Sequence, residues 1–211
     1  MHPASAFHEA DPAALAAFVR ERSFASIVGI DGLRAVTAAA PVLMTGDTIR
    51  FHLSSRNVLT PVLVASGAAL IIVMGEDAYV SPDWYAAPDQ VPTWNYRSVE
   101  IEGGLRVMTP EETAGLLDDL SAEFEHRLLP KPPWTRDKMR AAAFDAMLGA
   151  FTGFELTVTR LEGTMKMSQN KSADEAARVA AALAGRPDSG SQAVSALMSA
   201  RSSTPPSNTP H

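Results

Sequence analysis

Cysteine is absent from the 211-residue sequence. That excludes a disulfide framework, a thiolate zinc site, an iron–sulfur cluster and a cysteine nucleophile. An excess of positive charge is also missing. Lys and Arg number 18 against 24 Asp and Glu, a formal net charge of −6. A chain of that sign is not drawn non-specifically to nucleic acid or anionic lipid. Long hydrophobic runs are missing too. The most apolar stretch, Leu59 to Met74, is broken by Thr60, Pro61, Ser66 and Gly67, and is too short to span a bilayer. The opening MHPASAFHEAD has no basic start and meets two acids within eleven residues, unlike a signal peptide. These absences predict a cytoplasmic protein with no membrane partner. GxGxxG, the P-loop pattern and HExxH do not occur. Neither Ser81 nor Ser168 has a nucleophile-elbow context. His126 lies beside Glu123 and Glu125 and reads as a solvated helix residue.

Apolar residues make up 46% and charged residues 20%, the balance of a globular domain with a real core. The length predicts one domain plus a tail. Between Gly185 and His211, Ser, Pro, Gly and Thr supply 15 of 27 residues, so 185–211 is expected to be a flexible tail and 1–184 the folded domain. Asp11-Pro12 predicts a helix to about Arg22 with Leu15, Phe18 and Val19 as its apolar stripe. Thr109-Pro110-Glu111-Glu112 is a capping box opening a helix that carries Leu116, Leu117, Leu120, Phe124 and Leu128. A helix is expected over about Thr135 to Ala150. Ser172-Ala173-Asp174-Glu175 caps a last helix to about Leu183. Strands are expected over Phe24–Ile30, Leu33–Leu43, Ile49–Leu53, Ala68–Met74, Val99–Met108 and Phe154–Leu161, with turns at Asp31-Gly32 and Gly46-Asp47. Hairpin order with inserted helices predicts an α+β fold. Its antiparallel strands most easily close into a small barrel, with peripheral helices and a C-terminal helix.

Three segments are candidates for chemistry. Tyr79, Trp84, Tyr85, Trp94 and Tyr96 crowd a proline-stiffened stretch read as a loop, suited to a planar ligand or to an interface. The run Lys166-Met167-Ser168-Gln169-Asn170-Lys171 precedes a capped helix. If it stays extended, Lys166, Ser168 and Asn170 share one face and suit an anion, while Met165 and Met167 face the core. In Phe51-His52-Leu53-Ser54-Ser55-Arg56-Asn57, His52 and Ser54 share the polar face of a strand and Arg56 follows in the turn. The plain alternative is a set of rings that covers one end of the core for the first segment, and a solvated loop or turn for the other two.

Taken in order, AYVSPDWY at 78–85, VPTWNY at 91–96 and KMSQNK at 166–171 are similar to the signature of the PaiB-type family, the FMN-binding negative transcriptional regulators. The FHLSSRN segment, Gly153-Phe154-Glu155 and Ser23-Phe24 also fit, so the resemblance covers roughly residues 1–184. It implies a split β-barrel of the pyridoxamine-phosphate-oxidase type, a homodimer, and FMN held between subunits. Two departures stand out. Ala39 occupies a place where family members often carry His, and Val58 follows Asn57 where Pro is frequent.

On this resemblance His52, Ser54 and Arg56, with Lys166 and Ser168, are candidates for the FMN phosphate. Trp94 and Tyr96 are candidates for the flavin ring, and Asn57, Gln169 and Asn170 complete the cofactor-binding set. Replacing Arg56 and Lys166 together by Ala is expected to abolish FMN retention. The chain would be a regulator with flavin-dependent redox activity, a cofactor-free structural dimer, or a flavin oxidoreductase with no role in transcription. Direct DNA binding has no charge or motif behind it.

Overall fold

Two tight turns and period-two burial account for the first half of the molecule. The computed structural model describes residues 2–202. After a short strand β1 (His8–Glu9), helix α1 (Pro12–Arg22) starts where Asp11 accepts a hydrogen bond from the Ala13 N–H at 2.9 Å. Leu15, Phe18 and Val19 are its buried face, as expected. Strands β2 (Phe24–Asp31) and β3 (Arg34–Thr45) form the first hairpin. Asp31 pairs with Arg34, so the turn is Gly32-Leu33, one residue later than the sequence suggests. Gly32 stands at φ +60°, the left-handed value its position demands and a Cβ would penalise. Gly46-Asp47 then turns β3 into β4 (Thr48–Ser54), whose Ile49, Phe51 and Leu53 point inward.

Helix α2 (Leu59–Ser66) leads to β5 (Ala68–Val80), β6 (Thr93–Val107), α3 (Pro110–His126), α4 (Ala141–Leu148), β7 (Phe151–Lys166), α5 (Ala173–Ala184) and α6 (Ser189–Ser202). The strand order is β1-β7-β4-β3-β2-β5-β6, and β6 also pairs with β7. That last pairing closes six strands into a barrel and leaves no open edge among them. The expected antiparallel α+β barrel with peripheral helices is therefore the fold.

The chain divides into two units, 11–73 with 100–161, and 1–10 with 74–99 and 162–211. The first holds the barrel core. Phe51 and Phe154 stack at 5.3 Å inside it, among Ile27, Ile49, Ile71 and Ile101, all fully buried. Gly103 is forced by contact, because a Cβ there would stand 1.9 Å from the Thr157 carbonyl oxygen. The second unit has its own core, where Val80, Tyr85, Met167, Val179, Leu183, Val194 and Met198 pack together.

Several expectations change. Strand β6 begins at Thr93, so Trp94 and Tyr96 lie on a strand and not in a loop. The helix expected over 135–150 is a single 3-10 turn (Arg136–Lys138) followed by α4, because Met139 and Arg140 take extended backbone angles between them. The expected flexible tail begins as helix α6, which makes α5 not the last helix. Ser, Gly and Pro dominate that segment, yet Val194, Leu197 and Met198 fall at helical spacing and bury against α5. Asp188 accepts from the Ser191 N–H at 2.8 Å and starts the helix. The remainder of the expected tail, 203–211, lies outside the described residues.

Candidate functional site

Strand β4 ends in a turn built by its own polar groups. The Asn57 N–H donates to the Ser54 carbonyl at 2.9 Å, and the Asn57 side chain accepts from the Leu59 N–H at 2.9 Å. Thr60 donates back to the Ser54 carbonyl at 2.9 Å, and the Arg56 N–H reaches Ser54 Oγ at 3.3 Å. Asn57 is thus the residue that launches α2. Ser55 Oγ lies 3.0 Å from Thr152 Oγ1 on β7, and both hydroxyls are on the exposed side. The Arg56 side chain is exposed, and its guanidinium has no hydrogen-bond or ion-pair partner among the described residues. Most other arginines of this unit are committed. Arg106 grips Glu112 and Glu155, Arg127 grips Glu123, and Arg50 grips Asp119. A free fork of donors among three hydroxyls, three residues before a helix, can take a phosphate.

His52 shares the outward face of β4 with Ser54, as its spacing predicts, but it is not solvated. It packs edge-on against Phe151 at 5.0 Å, and its Nδ1 is buried with no hydrogen-bond partner. Burial pushes the imidazole below its ordinary pKa, so the ring is neutral at pH 7. His52 lines a cavity of about 400 Å³ together with Pro41, Phe124, Trp134, Phe144 and Phe151 among others. The sequence reading missed these aromatic walls, along with Ser55 and Thr152. Phe124 lies on the apolar stripe of α3, and that periodicity does not distinguish a packed ring from one that faces a void. Trp134 lies outside the aromatic cluster of 79–96 and has no local signal of its own.

The second unit tells a different story. Strand β7 ends at Lys166, and Ser168 sits at φ +58°, so 167–170 is a turn and the condition of a continued strand is not met. Ser168 is buried. It accepts from Asn95 Nδ2 at 3.0 Å and lies 3.4 Å from the Tyr85 hydroxyl. Gln169 accepts from the Met167 N–H at 2.6 Å and donates to the carbonyls of Ala6 and Met165. Lys166 donates to Thr93 Oγ1 at 2.5 Å and lies over the Phe7 ring at 5.5 Å. Met167 is buried and Met165 packs on the same core, as expected. Asn170 is exposed. Trp94 and Tyr79 form an edge-to-face pair at 6.1 Å, both about half exposed, and Tyr96 is half-buried. This unit therefore brings Ser168 together with Asn95 and Tyr85, and Lys166 together with Thr93. His52, Ser54, Arg56 and Asn57 are gathered separately, on β4 and its turn in the other unit.

Flavin mononucleotide asks for an anion cradle, and the β4 turn offers one. Arg56 with Ser54 and Ser55 suits the phosphate. Behind it on the outward face of β4 stand His52, uncharged, and then Arg50, held by Asp119. The residues present fit the group.

Similarity to known proteins points the same way. A family model described as "Putative FMN-binding domain" matches residues 1–160. The chain is 26% identical over 159 residues to protease synthase and sporulation protein PAI 2 of Bacillus subtilis, covering 73% of this chain and 75% of that protein. Among solved structures it resembles the FAD and heme binding protein from Mycobacterium smegmatis, with a TM-score of 0.59, 18% identity, and 80% and 78% of the two chains covered. It also resembles the flavocytochrome Anf3 from Azotobacter vinelandii, with a TM-score of 0.59, 15% identity, and 79% and 72% covered. At those identities the structural likeness establishes the split-barrel fold. The family match, spanning most of the sequence, establishes kinship, and the chain belongs to this FMN-binding family.

Proposed function

We propose that this protein holds FMN by its phosphate at the Ser54–Asn57 turn that ends β4. The uncommitted guanidinium of Arg56 carries the proposal. It presents paired donors to phosphate oxygens, Ser54 and Ser55 add hydroxyls, and Asn57 keeps the turn in shape. When bound, the flavin supplies two-electron transfer, and the chain supplies position and orientation. Of the family-derived candidates, this reading relies on Ser54, Arg56 and Asn57, while His52 faces the cavity behind the turn. Lys166, Ser168 and Gln169 already serve the fold, so Lys166 is given no phosphate contact. Ala39 does not weaken the reading. It stands exposed on β3 opposite Ser26 and contributes nothing to the turn. Titrating the apo chain with FMN and following flavin fluorescence tests the assignment. Arg56→Ala is expected to weaken binding by about 30-fold, the worth of a charge-assisted hydrogen-bond pair. An unchanged affinity sinks it.

The same reading includes a homodimer. β2 turns Phe24, Ser26, Val28 and Ile30 outward, flanked by Ala35, Thr37 and Ala39 of β3 and by Ala68, Leu70 and Ile72 of β5. None is charged, and Phe24 and Ile30 are 59% and 60% exposed. A solvated antiparallel face alternates with polar residues. This one suits a second copy. Val28→Glu, at the centre of the face, is expected to convert a dimer to a monomer in sedimentation velocity. A wild-type monomer at micromolar concentration counts against it. Regulation of transcription, if this protein performs it, would run through flavin state and not through DNA contact, given the net charge of −6.

A further inference from the structure

The cavity beside His52 is larger than a packing defect and differs in chemistry from the turn. Its volume of about 400 Å³ falls in the range of small-molecule sites. Its walls are mainly apolar and aromatic, from β3, β4, β7, α3, α4 and Trp134. The polar groups at its edge are mostly occupied. Asp118 pairs with Arg136 at 3.0 Å, Glu125 accepts from the Trp134 N–H at 2.8 Å and holds Lys131, and Ser121 donates to the Leu117 carbonyl at 2.7 Å. Carboxylates so engaged do not solicit a cation, and among the described residues no free cation lines the wall to draw an anion. What is left is His52, a neutral imidazole with one ring nitrogen unsatisfied. A half-turn about χ2 exchanges that nitrogen with a ring carbon, so the acceptor can face the cavity without moving the backbone.

We infer that this cavity binds a neutral aromatic molecule of about two fused rings that donates one hydrogen bond, from a phenolic hydroxyl, to His52. The hydroxyl satisfies a group that is otherwise buried at a cost, and the rings take up the apolar volume. The binding does not depend on FMN.

Calorimetric titration of the full-length apo chain with 2-naphthol and with 2-methylnaphthalene, which has the same shape without the donor, tests the inference. A preference of about tenfold or more for 2-naphthol is expected. In His52→Phe, which keeps the edge contact with Phe151, the preference should fall below about twofold while 2-methylnaphthalene still binds. Leu148→Trp, which fills the cavity from α4, should lose both ligands. Equal affinity for the two probes, a preference that survives His52→Phe, or no heat from either overturns the inference. FMN added to the naphthol-saturated chain completes the set. FMN binding at undiminished affinity supports two distinct sites, and one-for-one competition overturns the separate cavity. Failure of FMN to bind the naphthol-free chain overturns the flavin reading alone.

Discussion

Two turns in this molecule have nearly the same ingredients and opposite fates. Ser54-Ser55-Arg56-Asn57 and Lys166-Met167-Ser168-Gln169-Asn170 each offer a cation, a hydroxyl and an amide just before a helix. In the second, the hydroxyl is buried against Asn95, the amide of Gln169 ties three backbone groups, and the cation is spent on Thr93 and an aromatic ring. In the first, Asn57 is used up by the turn, the Ser54 and Ser55 hydroxyls each have one neighbour, and the Arg56 side chain is left over. The lesson is that composition nominates an anion site, whereas the partner inventory decides whether any group remains to bind one.

The contrast can be broken most forcefully at Asn95. Replacing it by Leu takes from the buried Ser168 hydroxyl its 3.0 Å partner and leaves it only the longer contact with Tyr85, which should cost about 3 kcal/mol of stability in urea unfolding. FMN affinity of the folded fraction should hold within about twofold. A loss under about 1 kcal/mol would mean that the buried cluster is not what holds the second turn. Next in size, Arg56→Ala should cost about 2 kcal/mol of FMN binding but less than about 0.5 kcal/mol of stability, the reverse pattern. Lys166→Met sharpens the comparison further. Flavin affinity should change by less than about threefold, and Arg56→Ala with Lys166→Ala should bind no worse than Arg56→Ala alone. A double variant much weaker than the single one restores Lys166 to the phosphate.

The smallest effect is a control remote from either turn. Hydrogen bonds from Arg106, and then from the Thr109 backbone, hold the Glu112 carboxyl down to about 2. A carboxyl depressed in the folded state adds stability above its unfolded value near 4.5, and that contribution is lost as pH falls through about 2. Glu112→Gln should therefore be less stable than wild type above that range and converge with it in strong acid. A difference that persists unchanged at the lowest pH would point to lost helix capping and not to charge.

Much of the fold was legible because it is local. Asp11, Thr109 and Ser172 each cap the helix expected of them, and both capping boxes form reciprocally. Alternation in Ile49, Phe51 and Leu53 set the inward face of β4. The misreadings share one cause. Proline and serine content argued for a loop at 91–96 and a tail after 184, but pairing and burial outweigh composition once a neighbour exists. Strand β6 starts at Thr93, and α6 docks on α5 through Val194 and Met198. Of the candidate site, the strand–turn placement of His52, Ser54 and Arg56 was readable from spacing. The burial of His52 was not, since the aromatic wall over it comes from α3, α4 and β7, far away in the chain.

By itself the sequence determined the caps, the turns, the strand faces and, through its motifs, the kinship with flavin-binding chains. These depend on residues within a few positions of one another or on ordered signatures. Only the tertiary structure decided which polar groups are consumed and which are left open. A hydrogen bond between Asn95 and Ser168, or a cavity roofed by Phe144 over His52, joins residues whose separation along the chain carries no signal. Whether a side chain binds a ligand or its own protein is a property of what folds next to it.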